Sequence, residues 1–274
     1  MFKYRAISFP ILLGIFFLIC FWSGGRWIFL VLAAAASCGL TLELFRMMGN
    51  LQIPGYAKAA AAVMTLTAVS VVAAPALAGI PLLLGGAALM LTVLPPDNRE
   101  EAVRKLFGTL GGFFLAIMLI LPVLGIYAMR DGMLFLYFVL VTKAMDTGGY
   151  IFGMLSNRWM PGGNHKIFPR ISPKKSWEGT VGGILFSIGA AFLIWKCAGT
   201  GSLVYAPVWW VILSGILLAV GSMAGDLTES AFKRAAGIKD SANYIPGMGG
   251  VFDVLDSFIY NGWLFAVLMP LLMR

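Results

Sequence analysis

The stretch Ala206-Pro-Val-Trp-Trp-Val-Ile-Leu-Ser-Gly-Ile-Leu-Leu-Ala-Val-Gly-Ser-Met-Ala-Gly-Asp226 decides the fold. It meets no charged side chain until Asp226, and a helix of about 20 apolar residues is what the hydrocarbon core of a bilayer requires. Similar runs recur from one end of the chain to the other. Of 274 residues, 60% are hydrophobic and only 12% charged. A soluble domain carries about 25% charged residues, so no soluble fold could cover this much apolar surface. A membrane β-barrel would show alternating segments of about 10 residues, whereas these runs are continuous and rich in Leu, Ala and Gly. The sequence therefore predicts an all-α polytopic integral membrane protein.

Working outward, roughly nine spans are expected: 7 to 22, 27 to 48, 57 to 74, 77 to 94, 106 to 128, 133 to 155, 179 to 197, 206 to 226 and 253 to 272. Breakers such as Ser23-Gly24-Gly25, Pro95-Pro96 and Pro161-Gly162-Gly163 fall between them. The first run follows Lys3 and Arg5 but has no small-residue cleavage site before Ser23, so it reads as a membrane helix and not as a secretory signal. With the N-terminus in the cytoplasm, fifteen Lys and Arg residues from Lys3 to Lys239 fall on that side. Only Arg26, Arg130, Lys196 and Arg274 fall on the other, and Lys143 lies within a span. This bias predicts a cytoplasmic N-terminus and two long cytoplasmic loops, 156–178 and 227–252. It also accounts for most of the net charge of +8, which points to topology and anionic lipid and not to nucleic acid. Two parts follow: residues 1–130, a scaffold of membrane helices offering a lipid or dimer surface, and residues 131–274, a catalytic membrane part carrying both loops.

The first part holds little chemistry. Glu43, near a helix end, reads as snorkelling or paired with Arg46. Cys20, Cys38 and Cys197 sit in spans without metal or redox spacing, and His165 is the single histidine, which excludes a histidine-based metal cluster.

Four places in the second part combine polar residues with glycine. In Lys143-Ala-Met-Asp146-Thr-Gly-Gly-Tyr150, a cation and a carboxylate stand three residues apart inside a span, either as a buried pair or facing a polar cavity. In Ser172-Pro-Lys174-Lys175-Ser176-Trp-Glu178-Gly179, Ser176 is placed to cap the helix that follows. The lysines are ordinary topogenic charges unless, with His165, Lys166 and Arg170, they attract an anion. Beyond the span ending at Asp226, the positions Asp226, Ser230, Lys233 and Arg234 form one helical stripe that suits a metal-bound phosphate as well as a solvated face. Finally, Lys239-Asp240 precedes Pro246-Gly247-Met248-Gly249-Gly250, a turn whose N–H groups could receive phosphate before a helix carrying Asp253 and Asp256 on one face. Aspartate at a helix start also has a purely electrostatic rationale. There is no P-loop and no dinucleotide fingerprint.

In order, Ser230-x-x-Lys233-Arg234-x4-Lys239-Asp240 and Pro246-Gly-x-Gly-Gly-x-x-Asp253-x-x-Asp256 closely resemble the signature of the phosphatidate cytidylyltransferases, or CDP-diglyceride synthases. The segments Asp146 to Gly153 and Ser172 to Gly179 look like that family's upstream motifs. Two positions depart from the pattern: Met248 stands where histidine is usual, and Val254 where arginine is usual. Neither side chain can bind phosphate or move a proton.

The resemblance implies transfer of CMP from CTP to phosphatidate, giving CDP-diacylglycerol and pyrophosphate in phospholipid biosynthesis. It implies magnesium on Asp226, Asp253 and Asp146, with room for a second, monovalent cation. It assigns catalysis to Ser230, Lys233, Arg234, Lys239, Asp240 and Asp256. The nucleotide would be held by Ser172, Lys174, Lys175, Ser176, Glu178, Gly247, Gly249 and Gly250. The partners implied are CTP, phosphatidate and membrane lipids, with a homodimer allowed, and the location implied is a bacterial inner membrane with the site facing the cytoplasm. A CTP-dependent kinase of a polyprenol-type lipid alcohol resembles this pattern in topology. A transporter of an anionic metabolite would instead show interrupted helices in two related halves.

Overall fold

The computed structural model describes residues 14–91, 99–161, 163–169, 172–199, 201–244 and 249–272. Five helices are long and apolar enough to cross a membrane: Gly25–Asn50, Arg99–Ala128, Trp177–Cys197, Val208–Ala235 and Val251–Leu271, the last counted across a break described below. Two shorter apolar helices, Ala57–Ala73 and Pro75–Leu91, stand where the third and fourth spans are expected, and the first expected span begins before the described residues. Large apolar side chains such as Leu83, Phe107 and Val267 are about 70% exposed. In water that surface would drive aggregation, and lipid is the solvent that covers it. The protein is an α-helical integral membrane protein.

The helices are numbered α1 (Gly25–Asn50), α2 (Ala57–Ala73), α3 (Gly79–Leu91), α4 (Arg99–Ala128), α5 (Gly132–Trp159), α6 (Trp177–Cys197), α7 (Val208–Ala235), α8 (Val251–Leu255) and α9 (Phe258–Leu272). Between α5 and α6 lies an antiparallel pair, β1 (Lys166–Phe168) and β2 (Ser172–Ser176), with Lys166 opposite Ser176. This hairpin is a small departure from a purely helical expectation. It lies in the polar loop before α6, where the backbone must find partners outside the helices.

The chain divides into two compact units. The first contains the described residues up to Met129 together with Phe232–Leu255. In it α1 packs against α2, α4 and α8, around Leu40, Met47, Met64 and Ala68, which are essentially inaccessible. The Arg26 guanidinium donates to the carbonyls of Val72 and Ala73 and so closes the C-terminal end of α2.

The second unit contains Arg130–Ala231 and Asp256–Arg274. Its core is aromatic: Tyr137, Phe138, Trp210 and Phe265 are fully buried. The Trp210 indole N–H donates to the Leu268 carbonyl at 3.0 Å, which satisfies the one polar atom that the ring brings inside. Helices α5 and α6 approach closely through glycine, since a Cβ at Gly179 would stand 2.8 Å from the Gly149 carbonyl oxygen. That contact brings the start of α6 and its preceding strand beside the middle of α5.

The last expected span, 253 to 272, is interrupted. Helix α8 stops at Leu255 and α9 starts at Phe258. Asp256 Oδ1 accepts from the Ser257 backbone N–H at 2.5 Å and from its hydroxyl at 2.8 Å, a local bond that competes with helix continuation. Asp253 and Asp256 therefore do not share one helix face as their spacing suggests.

Candidate functional site

In the second unit, carboxylate oxygens of Asp226, Glu229 and Asp256 lie within 4.8 Å of one another. Asp226 and Glu229 stand one turn apart on α7, and Asp256 comes from the break before α9. The approach depends on Gly225: a Cβ there would fall 2.1 Å from the Asp256 carbonyl oxygen. Such a group of like charges needs cations, and two lysines supply them. Lys175 Nζ pairs with Asp226 Oδ2 at 2.8 Å and donates to the Met223 carbonyl at 3.2 Å. Lys143 Nζ lies 3.3 Å from Asp256 Oδ1 and 3.4 Å from Asp146 Oδ2, and donates to Ser257 Oγ at 2.7 Å. Asp146 also accepts from Ser257 Oγ at 2.8 Å and from Ser222 Oγ at 3.3 Å. Lys143 and Asp146 are thus paired, and Asp146 also borders a cavity.

That cavity has a volume of about 340 Å³ and is lined by Asp146, Ser172, Lys174, Lys175, Ser176, Asp226 and Asp256, with Met145, Gly149, Tyr150, Gly179, Thr180 and Met223. Seven residues singled out from sequence therefore face one space. Ser176 caps α6, accepting from the Gly179 N–H at 3.1 Å, as its position predicts. Glu178 turns elsewhere: it accepts from the His165 ring at 2.6 Å and from the His165 backbone N–H at 3.2 Å, and so pins the hairpin to the start of α6. Ser230 donates to Asp226 Oδ1 at 3.3 Å, consistent with the stripe along α7.

Other expected residues belong to the first unit. Lys233 Nζ pairs with Asp253 Oδ1 at 2.6 Å. Asp253 Oδ2 accepts from the Ser241 N–H at 3.0 Å, the Ser241 hydroxyl at 2.8 Å and the Gly250 N–H at 2.8 Å. Arg234, Lys239 and Asp240 are exposed. Gly249 adopts φ +93°, a conformation that favours glycine. Gly247 and Met248 lie outside the described residues. Three N–H groups at the end of this turn and the start of α8 have partners within the chain. Gly250 donates to Asp253, while Val251 and Phe252 donate to Glu43 at 2.8 and 2.9 Å. The donors of the turn face acidic side chains of the chain itself, which satisfy them more directly than solvent would.

Two acidic residues were not singled out as site residues from sequence. Glu229 lies three residues after Asp226 at 2% exposure, and that spacing on an apolar helix was a usable signal. Glu43 is likewise 2% exposed, so the snorkelling and Arg46-paired readings are both replaced by burial against the turn.

The donor set of Asp226, Glu229 and Asp256 consists of hard carboxylate oxygens, the chemistry that suits magnesium. Beside it, Lys174 and Lys175 suit phosphate oxygens.

The model of the cytidylyltransferase family matches residues 3–272. The chain is 34% identical over 266 residues to the phosphatidate cytidylyltransferase of Pseudomonas aeruginosa, covering 95% of this chain and 92% of that one. It is 40% identical over 136 residues to the protein of the same name from Staphylococcus haemolyticus, and 37% identical over 124 residues to that from Haemophilus influenzae. In these two the match spans 48% and 41% of the relative, about half its length or less.

Proposed function

The chain belongs to the cytidylyltransferase family, and from that premise we propose that it transfers CMP from CTP to phosphatidate, giving CDP-diacylglycerol and pyrophosphate. The observation that carries this reading is the group of carboxylates from Asp226, Glu229 and Asp256 beside Lys175, with Asp226, Asp256 and Lys175 lining one cavity in the second unit. A phosphatidate phosphate oxygen forms a bond to the α-phosphorus of CTP. The bond from that phosphorus to the bridging oxygen breaks, and pyrophosphate leaves with the electron pair. The nucleophile is already an anion, so no strong general base is needed, and the work lies in positioning and charge neutralisation.

Lys174 and Lys175 draw the polyphosphate into the cavity, and Lys175 stays anchored through Asp226. Lys143 holds Asp146 and Asp256 in place, which keeps their oxygens turned together despite their mutual repulsion. Magnesium, when bound by Asp226, Glu229 and Asp256, would offset phosphate charge and favour departure of pyrophosphate. Ser230, Lys233, Arg234 and Lys239 are assigned to phosphate contacts, with Lys233 oriented by Asp253. The reading sets the site toward the cytoplasm, where CTP arrives from water and phosphatidate from the bilayer, and keeps the N-terminus on that same side.

The test uses purified protein, phosphatidate and magnesium with CTP labelled at either the α- or the γ-phosphate. Label from the α position should appear in lipid and label from the γ position in pyrophosphate. Transfer of γ-label to a polyprenol-type alcohol, with no α-label in phosphatidate-derived lipid, would replace this reading with the kinase.

A further inference from the structure

Glu43 lies on α1, and no neighbour in sequence explains its burial. Its oxygens accept from the Val251 N–H at 2.8 Å, the Phe252 N–H at 2.9 Å and the Ser241 hydroxyl at 2.7 Å. All three donors belong to the segment that carries Asp253. The Ser241 hydroxyl also lies 2.8 Å from Asp253 Oδ2, so one hydroxyl joins the two carboxylates. The backbone is shaped to permit this. A Cβ at Gly250 would stand 2.2 Å from Ser241 Oγ and 2.5 Å from a Glu43 oxygen, and a Cβ at Gly39, one turn before Glu43, would stand 2.9 Å from a Val251 methyl. An acidic group in an apolar helix is costly to bury, and packing alone would be served by leucine or methionine.

We infer that Glu43 is a positioning residue: it fixes the turn at Gly250–Phe252 and, through Ser241, holds Asp253 and its partner Lys233 in their working orientation. The inference rests on the proposed cytidylyl transfer only for its effect on rate. The chain of contacts runs from α1 to Glu43, then to Ser241, Asp253 and Lys233. Glutamine in place of Glu43 keeps the volume but turns an NH₂ group toward donors that need an acceptor.

The test compares Glu43→Gln, Ser241→Ala, Asp253→Asn and the double variant Glu43→Gln/Asp253→Asn. CTP affinity is read by equilibrium dialysis on folded, detergent-solubilised protein, and the steady-state rate is read alongside, well below each variant's unfolding temperature. Glu43→Gln should weaken CTP binding and lower kcat/KM by about tenfold, and Ser241→Ala should act in the same direction. In the Asp253→Asn background the Glu43 change should add little, because its effect is transmitted through Asp253. A purely structural role would reduce the active fraction without changing the CTP affinity of the folded remainder. Wild-type affinity in Glu43→Gln, or effects that simply add in the double variant, overturns the inference. If the wild-type chain proves to transfer no cytidylyl group, non-additive loss of CTP binding still upholds it, and only the proposed reaction falls.

Discussion

Lys175 is the residue whose loss should be most specific. Its ammonium sits 2.8 Å from Asp226 at the cavity wall, while Lys174 lines the same cavity. Lys175→Ala is expected to lower kcat/KM by about a hundredfold, as for removal of a placed donor to a phosphoryl group. Lys174→Ala should cost less, and initial rates across a CTP titration compare the two. Lys143 makes a different prediction. Lys143→Met leaves Asp146 and Asp256 adjacent without their shared cation. With the Lys143 side chain 34% exposed, the loss of stability should be about 1–2 kcal/mol after solvent screening. It is read as a lower unfolding midpoint in detergent, and Lys143→Arg should recover part of it. At this scale legibility followed range. Ser176 as a helix cap and Ser230 above Asp226 depend on neighbours within four residues and could be read directly. The partners of Glu43 are 198 to 209 residues away, and no local pattern encodes them.

Among the elements, α7 does most to build the site, because one helix carries the apolar span, then Gly225, Asp226 and Glu229 in succession. Gly225→Ala should push α7 from the Asp256 turn, since the added methyl would meet backbone and not a flexible side chain. Activity is expected to fall by more than about tenfold although no charged group is lost. The comparison with Gly189→Ala, where a Cβ meets nothing within 4 Å, separates crowding from a general effect on helices. The position of α7 was legible because hydropathy and periodicity agree over its whole length. The break between α8 and α9 was not: the spacing of Asp253 and Asp256 is helical, and only the bonds of Asp256 to Ser257 and Lys143 show why the helix stops there. The β1–β2 hairpin was hidden for another reason, since three- and five-residue strands of mixed polarity carry no readable alternation.

For the whole molecule, the positive-inside bias makes a prediction that the native cysteines can check. Cys197 is exposed at the end of α6, whereas Cys20 and Cys38 are half-buried. With the N-terminus in the cytoplasm, Cys197 lies on the far side. A Cys20→Ala/Cys38→Ala variant should then react with a membrane-impermeant maleimide added outside intact cells. Labelling only after the cells are opened would reverse the orientation. Hydropathy revealed that the chain lives in a membrane, but not that Phe232–Leu255 packs with the helices before Met129. That arrangement bears on how the protein is made. The donors that satisfy Glu43 follow it by 198 to 209 residues, so they are translated long after α1. Until then Glu43 lies in a membrane helix without those donors, a costly arrangement that the arrival of Ser241, Val251 and Phe252 relieves.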